Sequence, residues 1–196
     1  MANVGIKSFL YGELTETNGV ASYAVAKKLA GAIEAKVAIE LNSATLYRDN
    51  ALGYEDTSFK KGTITLGIDD DDETIFAGLL GKTVNTDNFT PSGATKTVTV
   101  KRITSSNKDV CVPVGFGYVT GKQIDNVRKY KVKFLKKVIF KQFETDSKTI
   151  GESLEFTTPS VEGSICTLQD GSWKDEATFD TEALAIEYLK SLFKAS

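Results

Sequence analysis

Alternation of apolar and polar residues is the feature that most limits what this chain can fold into. Residues 61–68 place Ile64, Leu66 and Ile68 on one face of an extended strand, opposite threonine and glycine. Residues 95–103 and 110–118 repeat the period of two with valine or aromatic residues on one face. This period is typical of strands half-buried in a sheet. The sequence therefore predicts a fold built mainly from β-strands.

The longest strand candidate, residues 128–143, changes phase in its middle. Tyr130 and Phe134 alternate with lysines up to residue 134, and Val138 and Phe140 alternate with lysines after residue 137. A phase change inside a strand predicts a β-bulge or a sharp bend.

Proline and short apolar runs mark the other strands. Pro113 cannot donate a ladder hydrogen bond, so its strand is expected at a sheet edge or with a bulge there. Leu154 with Phe156, and then residues 161–168, indicate two further strands. Residues 31–46 alternate and favour a strand, although their alanines leave a helix open.

Two short helices are expected, over residues 73–80 and 181–193. Asp69 and Asp70 are the expected caps of the first helix, because aspartates accept hydrogen bonds from free helical N–H groups, and Gly81 suits its end. Asp180 or Thr181 caps the second helix. One face of this helix is apolar and is expected to dock on the sheet; its residues are Leu184, Tyr188, Leu189, Leu192 and Phe193. Trp173, which follows a turn before the helix, is expected to anchor the helix on the sheet.

The sum of these elements is a mainly β (α+β) fold, a β-sandwich or partial barrel with two short helices. The chain has 196 residues, which suits one all-β domain over residues 1–196. No proline-rich or charged linker divides it.

Several classes of chemistry are disfavoured by composition. The chain has no histidine, which excludes histidine triads, dyads and imidazole metal ligands. Its two cysteines, Cys111 and Cys166, lack the CxxC spacing of zinc or redox sites and are expected to be reduced thiols. The acids 69–73 are contiguous, unlike the spaced ligands of a calcium loop. We therefore expect no enzyme activity and no catalytic, cofactor-binding or metal-binding residues.

Membrane association is not expected either. No stretch approaches the roughly 18–20 apolar residues that a membrane helix needs, and the N-terminus lacks the features of a secretory signal. We expect the chain to be made and kept in a reducing aqueous compartment.

The strand over residues 128–141 carries seven basic residues and no acidic one. One interpretation is phosphate contact with nucleic acid, with aromatic residues stacking on bases. The alternation places Tyr130 and Phe134 on the face opposite Lys131 and Lys133, which favours the other interpretation: the aromatics face the core and the lysines face water or acidic neighbours.

Taken in order, these segments resemble the major tail proteins, or tail-tube proteins, of long-tailed bacteriophages. The similarity spans most of residues 31–193 in four collinear stretches. Residues 46–81 read LYRDNALGYEDTSFKKGTITLGIDDDDETIFAGLLG, and residues 114–118 read VGFGY. Residues 130–140 end in a K-V-x-F signal, and residues 149–173 read TIGESLEFTTPSVEGSICTLQDGSW before the closing helix.

The resemblance implies a structural virion protein. Six copies would form a hexameric ring whose inner sheets join, and rings would stack into a tube for genome ejection. The implied partners are other copies of the chain, the tape-measure protein, the tail-terminator and distal tail proteins, and phage DNA that passes without specific binding. The implied location is the phage tail, with assembly in the bacterial host cytoplasm.

Residues 43–60 are the segment that we expect to contact neighbouring copies. The segment holds more apolar side chains than a free loop should expose, namely Leu46, Tyr47, Leu52, Tyr54 and Phe59. The alternative is that it folds back on its own sheet.

Two other functions remain open at this point. The tube of a phage-tail-like bacteriocin would share every feature above, and only neighbouring capsid genes would separate the two. A small β-sandwich binding module that uses the basic strand is the alternative from a different class.

Overall fold

The computed structural model describes residues 2–49, 51–69, 73–93, 95–124, 127–141 and 160–194. The strand predicted around Leu154 and Phe156 and the helix cap Asp70 lie outside these residues.

Most of the described chain is β-strand, as the alternation predicts. The main sheet holds the strands β1 (Ala2–Thr17), β2 (Val20–Tyr23), β3 (Lys27–Lys28), β4 (Ala32–Leu41), β7 (Phe59–Ile68), β10 (Pro113–Ile124), β11 (Val127–Phe140), β12 (Ser160–Ile165) and β13 (Lys174–Phe179). Two separate hairpins are formed by β5 (Ala44–Arg48) with β6 (Ala51–Asp56) and by β8 (Thr83–Phe89) with β9 (Val98–Thr104). The helices are α1 (Glu73–Leu79) and α2 (Glu182–Ser191).

The main sheet runs in the order β2-β1-β10-β11-β12-β7-β4, with β3 also paired to β1 and β13 to β11. Residues from distant parts of this order line one cluster, which we call the inner core: Phe9 of β1, Phe116 of β10, Phe140 of β11 and Leu66 of β7 are all buried there. The sheet is therefore folded over on itself, and the predicted mainly β, sandwich-like class is confirmed.

The predicted phase change in β11 is a β-bulge. Phe116 of β10 pairs with Leu135, and Val114 pairs with Val138, so two steps on β10 oppose three steps on β11. The extra residue lies at Lys136–Lys137. A bulge of this kind bends the strand and increases its local twist.

The bulge decides which side chains of β11 enter which cluster. Before it, Val132 and Phe134 pack in a second cluster against α2, which we call the helix-side core. After it, Val138 and Phe140 pack in the inner core. Without the extra residue, one of these pairs would point away from its cluster, because side chains alternate along a strand.

The sheet divides at the same bulge. On one edge of β11, residues 130–135 pair with β13 and residues 138–140 pair with β12. The backbone of the bulge bonds to the segment between those two strands. The amide of Lys136 donates to the carbonyl of Trp173 at 2.9 Å, and the amide of Cys166 donates to the carbonyl of Lys137 at 3.0 Å.

Helix α2 starts as predicted and docks partly by the predicted face, since Leu189 and Phe193 are buried in the helix-side core. The Thr181 hydroxyl accepts from the amide of Leu184, as an N-cap does. The buried residues are Ala185 and Leu189, whereas 52% of Leu184 is exposed and Tyr188 is also exposed. Gly117 of β10 leaves room for Leu189, because a Cβ at Gly117 would overlap the Leu189 side chain.

Of the two remaining docking predictions, that for Leu192 is confirmed and that for Trp173 is wrong. Leu192 lies partly buried against the helix-side core. Trp173 instead packs against the inner core, where its ring stacks on Phe59 with centroids 4.4 Å apart. The expectation that Trp173 anchors the C-terminal helix is therefore wrong.

The two expected features of Pro113 differ in outcome. Pro113 is the first residue of β10, where a missing N–H is tolerated, and the register irregularity that follows it has its extra residue on β11 rather than on β10. The edge position is wrong, since β10 lies between β1 and β11. Residues 32–41 form a strand, as favoured.

Asp69 has a partner other than α1. Its carboxylate accepts from the amide of Gly31 at 2.6 Å, and its own amide donates to the carbonyl of Gly31. These bonds close the end of the β4–β7 pair. Residues 70–72, between Asp69 and Glu73 of α1, lie outside the described residues, so the cap role of Asp69 stays a prediction.

A single glycine ends α1, as predicted. Gly81 has φ +67°, a left-handed conformation, and an added Cβ there would overlap the backbone carbonyl of Val110.

Gly81→Ala should lower the free energy of unfolding by about 1 kcal/mol for the left-handed conformation and by at least about 1 kcal/mol more for the clash. Chemical denaturation of the wild type, of this variant and of a control variant measures these losses. Gly171→Ala is the matched control, since Gly171 has φ +82° and open space around it. Equal losses for the two variants would contradict the contact.

Glu16 of β1 joins the bulge to the β12–β13 connection. Its carboxylate accepts from the Lys137 ammonium at 2.5 Å and from the amide of Gln169 at 3.0 Å. The hydrogen bond from Lys137, followed by that from Gln169, lowers the pKa of Glu16.

Glu16→Gln should therefore destabilise the fold in a pH-dependent way. A carboxyl with a lowered folded-state pKa contributes stability that is present above its ordinary value of 4.5 and is lost as the pH falls through the folded-state value. We expect a loss of about 1 kcal/mol at pH 7 that shrinks below pH 4.5, measured by urea unfolding across pH. Glu13→Gln, on the same strand with an exposed Lys27 partner, should have little effect. A loss that is independent of pH would contradict this role of Glu16.

Candidate assembly surfaces

The segment expected to contact neighbours forms a hairpin that continues the β4–β7 pair. Leu41 pairs with Phe59 at the end of the main sheet, and Ala44 pairs with Asp56 at the start of the hairpin. Between these pairs, the amide of Asn42 donates to the carbonyl of Ser58 at 2.8 Å. The hairpin β5–β6 therefore extends from the main sheet at its β4 end.

Side chains strengthen the base of this hairpin. The Asn42 amide group donates to the Ser58 hydroxyl at 2.9 Å, and the amide of Ser58 donates to the carboxylate of Asp56 at 2.9 Å. The hydrogen bonds from Ser58 lower the pKa of Asp56. The base is thus held, while the rest of the hairpin has no strand partner in the described part of the chain.

Two aromatic rings of the hairpin face solvent. Tyr47 is 68% exposed and Tyr54 is 65% exposed. On the backbone, Leu46 pairs with Tyr54 and Tyr47 pairs with Leu52, so the four predicted contact residues of the hairpin lie opposite one another. An isolated two-stranded hairpin is marginally stable in water, and it gains most from packing against another surface.

Phe59 differs from the other four predicted contact residues. It begins β7, lies partly buried against the inner core and stacks on Trp173. Its ring belongs to the attachment of the hairpin and not to its exposed part.

A second hairpin, β8–β9, was not predicted as a pair. Its β8 strand lies largely in residues that indicate a surface loop, since only Val84 and Phe89 of its seven residues are apolar. Phe89 pairs with Val98 and both are exposed. The other sequence feature that favours this pair is the opposite charge of Asp87 and Arg102, whose side chains form a cross-strand ion pair at 2.6 Å.

Among the described strands of the main sheet, four pair with a single neighbour and therefore have an open edge. β2 and β3 pair only with β1, β4 pairs only with β7, and β13 pairs only with β11. Ile39 and Leu41 of β4 are exposed. Such edges present unpaired backbone groups to which another chain can add a strand.

The lysines along and just after β11 are largely neutralised, as the favoured interpretation predicts. Five of them form ion pairs, which join Lys129 to Asp180, Lys131 to Glu176, Lys136 to Asp175, Lys137 to Glu16 and Lys141 to Glu162. Tyr130 and Phe134 pack on the helix side of the strand. Two basic residues of this strand have no ion pair among the described residues, and each lies over an aromatic ring: Arg128 over Tyr130 and Lys133 over Tyr118.

No reactive constellation stands out in the described residues. They contain no group of three or more Cys, Asp or Glu side chains arranged to hold a metal ion. Burial raises the pKa of Tyr11 and that of Tyr118, and both side chains belong to the inner core. Both cysteines are free.

None of the described helices is long and apolar enough to cross a membrane. Comparison of the whole chain with protein-family models and with curated proteins finds no match.

Proposed function

We propose that this chain is the tube-forming subunit of a long-tailed phage tail. Six copies form a ring, rings stack, and the resulting tube conducts the genome. The observation that carries the proposal is the β5–β6 hairpin, which extends from the main sheet and exposes Tyr47 and Tyr54. The order of segments that resembles tail-tube proteins supplies the identity of the assembly.

Docking of the hairpin on a neighbouring copy supports self-association physically. Tyrosines supply large contact area at low entropic cost and are enriched among the residues that dominate interface energies. The hairpin is joined firmly at its base by Asn42 and Ser58, so its direction is set before docking. Less binding energy is then spent on ordering it.

The open edges of β4 and β13 support a closed ring. An exposed edge risks uncontrolled pairing in a monomer, but the risk ends when each edge meets the next copy of a closed ring. A ring also repeats one pair of complementary surfaces, so a single hairpin and its docking site can build the whole assembly.

DNA would pass through such a tube without being held. The chain has a net charge of −2, and the ion pairs of the β11 lysines leave little free positive charge on that strand. Strong phosphate binding would instead need several free lysines or arginines. These ion pairs also weaken the alternative of a nucleic-acid-binding module.

The proposed partners are further copies of the chain, the tape-measure protein inside the tube, and the tail-terminator and distal tail proteins at its ends. The proposed location is the virion tail, after assembly in the bacterial host. A phage-tail-like bacteriocin would use the same subunit contacts, and capsid genes beside the coding gene would distinguish a phage.

Sedimentation velocity across a concentration series tests the role of the hairpin. The double variant Tyr47→Ser, Tyr54→Ser should need at least about tenfold more protein to assemble than the wild type, because losing an interface tyrosine costs over about 1 kcal/mol. Its melting temperature should be unchanged, since both rings are exposed.

The double variant Val110→Ser, Val127→Ser is the matched control, with two exposed apolar residues removed outside the hairpin. It should assemble like the wild type. A hairpin variant that assembles at wild-type concentrations would contradict the proposed contact.

A further inference from the structure

A cavity of about 200 Å³ lies between β4 and the β11–β13 pair. Its apolar wall consists of Val37 and Ile39 from β4, Leu135 from β11 and Tyr118 from β10. Ile39 is exposed and Leu135 is buried, so the lining extends from the protein surface to the core. The cavity has room for a small organic molecule.

The charged wall holds two ammonium groups and one carboxylate, from Lys133, Lys174 and Glu176. Glu176 divides its two oxygens between two lysines, since Oε1 lies 3.2 Å from the Lys174 ammonium and Oε2 lies 2.5 Å from that of Lys131. Burial alone would raise the pKa of Glu176, but the hydrogen bonds from these lysines lower it. Its carboxylate is therefore ionised, and each of its two oxygens is paired with a lysine.

Lys133 is left without an acid. Its ammonium lies 5.7 Å from the centroid of the Tyr118 ring, and no carboxylate of the described residues lies within 4 Å of it. The side chain is half-buried, and this burial lowers the pKa of Lys133 despite the attraction of Glu176. A partly desolvated ammonium gains more from an arriving anion than an exposed one does.

We infer that this cavity binds a small monocarboxylate that carries an apolar group. The lining has one net positive charge, which matches a monoanion better than a dianion. The carboxylate would bind the Lys133 ammonium, and the apolar group would contact Val37, Ile39 and Leu135. This inference goes beyond the tube function and does not depend on it.

Methyl-detected NMR on the wild-type chain tests the site with benzoate as probe. Benzoate should shift the Ile39 and Val37 methyl signals saturably. Benzyl alcohol, which has a similar shape without the charge, should bind at least about tenfold more weakly. Inorganic phosphate, which has charge without an apolar group, should also bind more weakly. Equal binding of benzyl alcohol or of phosphate would overturn the assignment, as would the absence of any saturable shift.

Lys133→Met tests the ammonium directly, because methionine keeps the length of the apolar stem. Benzoate affinity should fall at least about tenfold. Lys129→Met is the matched control, since Lys129 lies on the same strand outside the cavity and pairs with Asp180. It should leave the affinity unchanged. Undiminished binding by Lys133→Met would overturn the assignment, and the comparison of probes on the wild type stands even if that variant does not fold.

Discussion

The extra residue in β11 is the constraint on which the rest of the structure depends. It changes which alternate positions of the strand face each core, so that Phe134 lies under the C-terminal helix while Phe140 lies in the inner core. The same position sends the neighbouring chain to two places, because β13 pairs before the bulge and β12 pairs after it. Two backbone hydrogen bonds hold this division in place: the amide of Lys136 donates to the carbonyl of Trp173, and the carbonyl of Lys137 accepts from the amide of Cys166.

The candidate functional features follow from this division. The branch through β12 and β7 ends at β4, from which the β5–β6 hairpin extends. The other branch ends at β13, and the cavity lies between β13, β11 and β4. One local irregularity in a central strand thus positions an exposed hairpin, two open edges and a charged cavity.

Much of this fold could be predicted from periodicity, because alternation reports burial directly. The phase change at residues 135–137 and Gly81 are local signals, and they predict the bulge in β11 and the end of α1. The docking face of α2 could be predicted only in part. Leu189 and Phe193 are buried as expected, but Ala185 is buried where Leu184 and Tyr188 were expected. Which side of an apolar stripe meets the sheet depends on contacts between distant residues, such as Leu189 with Gly117. Trp173 was misplaced for the same reason, because nothing near it in sequence indicates Phe59 as its partner. The exposure of Tyr47 and Tyr54 was left open by the sequence, as an apolar segment can equally fold back on its own sheet.

Negative-stain electron microscopy of the purified wild-type protein at rising concentration tests the central claim most directly. The account predicts rings with six-fold symmetry, or tubes of uniform diameter built from stacked rings. A chain that remains a single small particle at every concentration, even when seeded with tail tips, would contradict it.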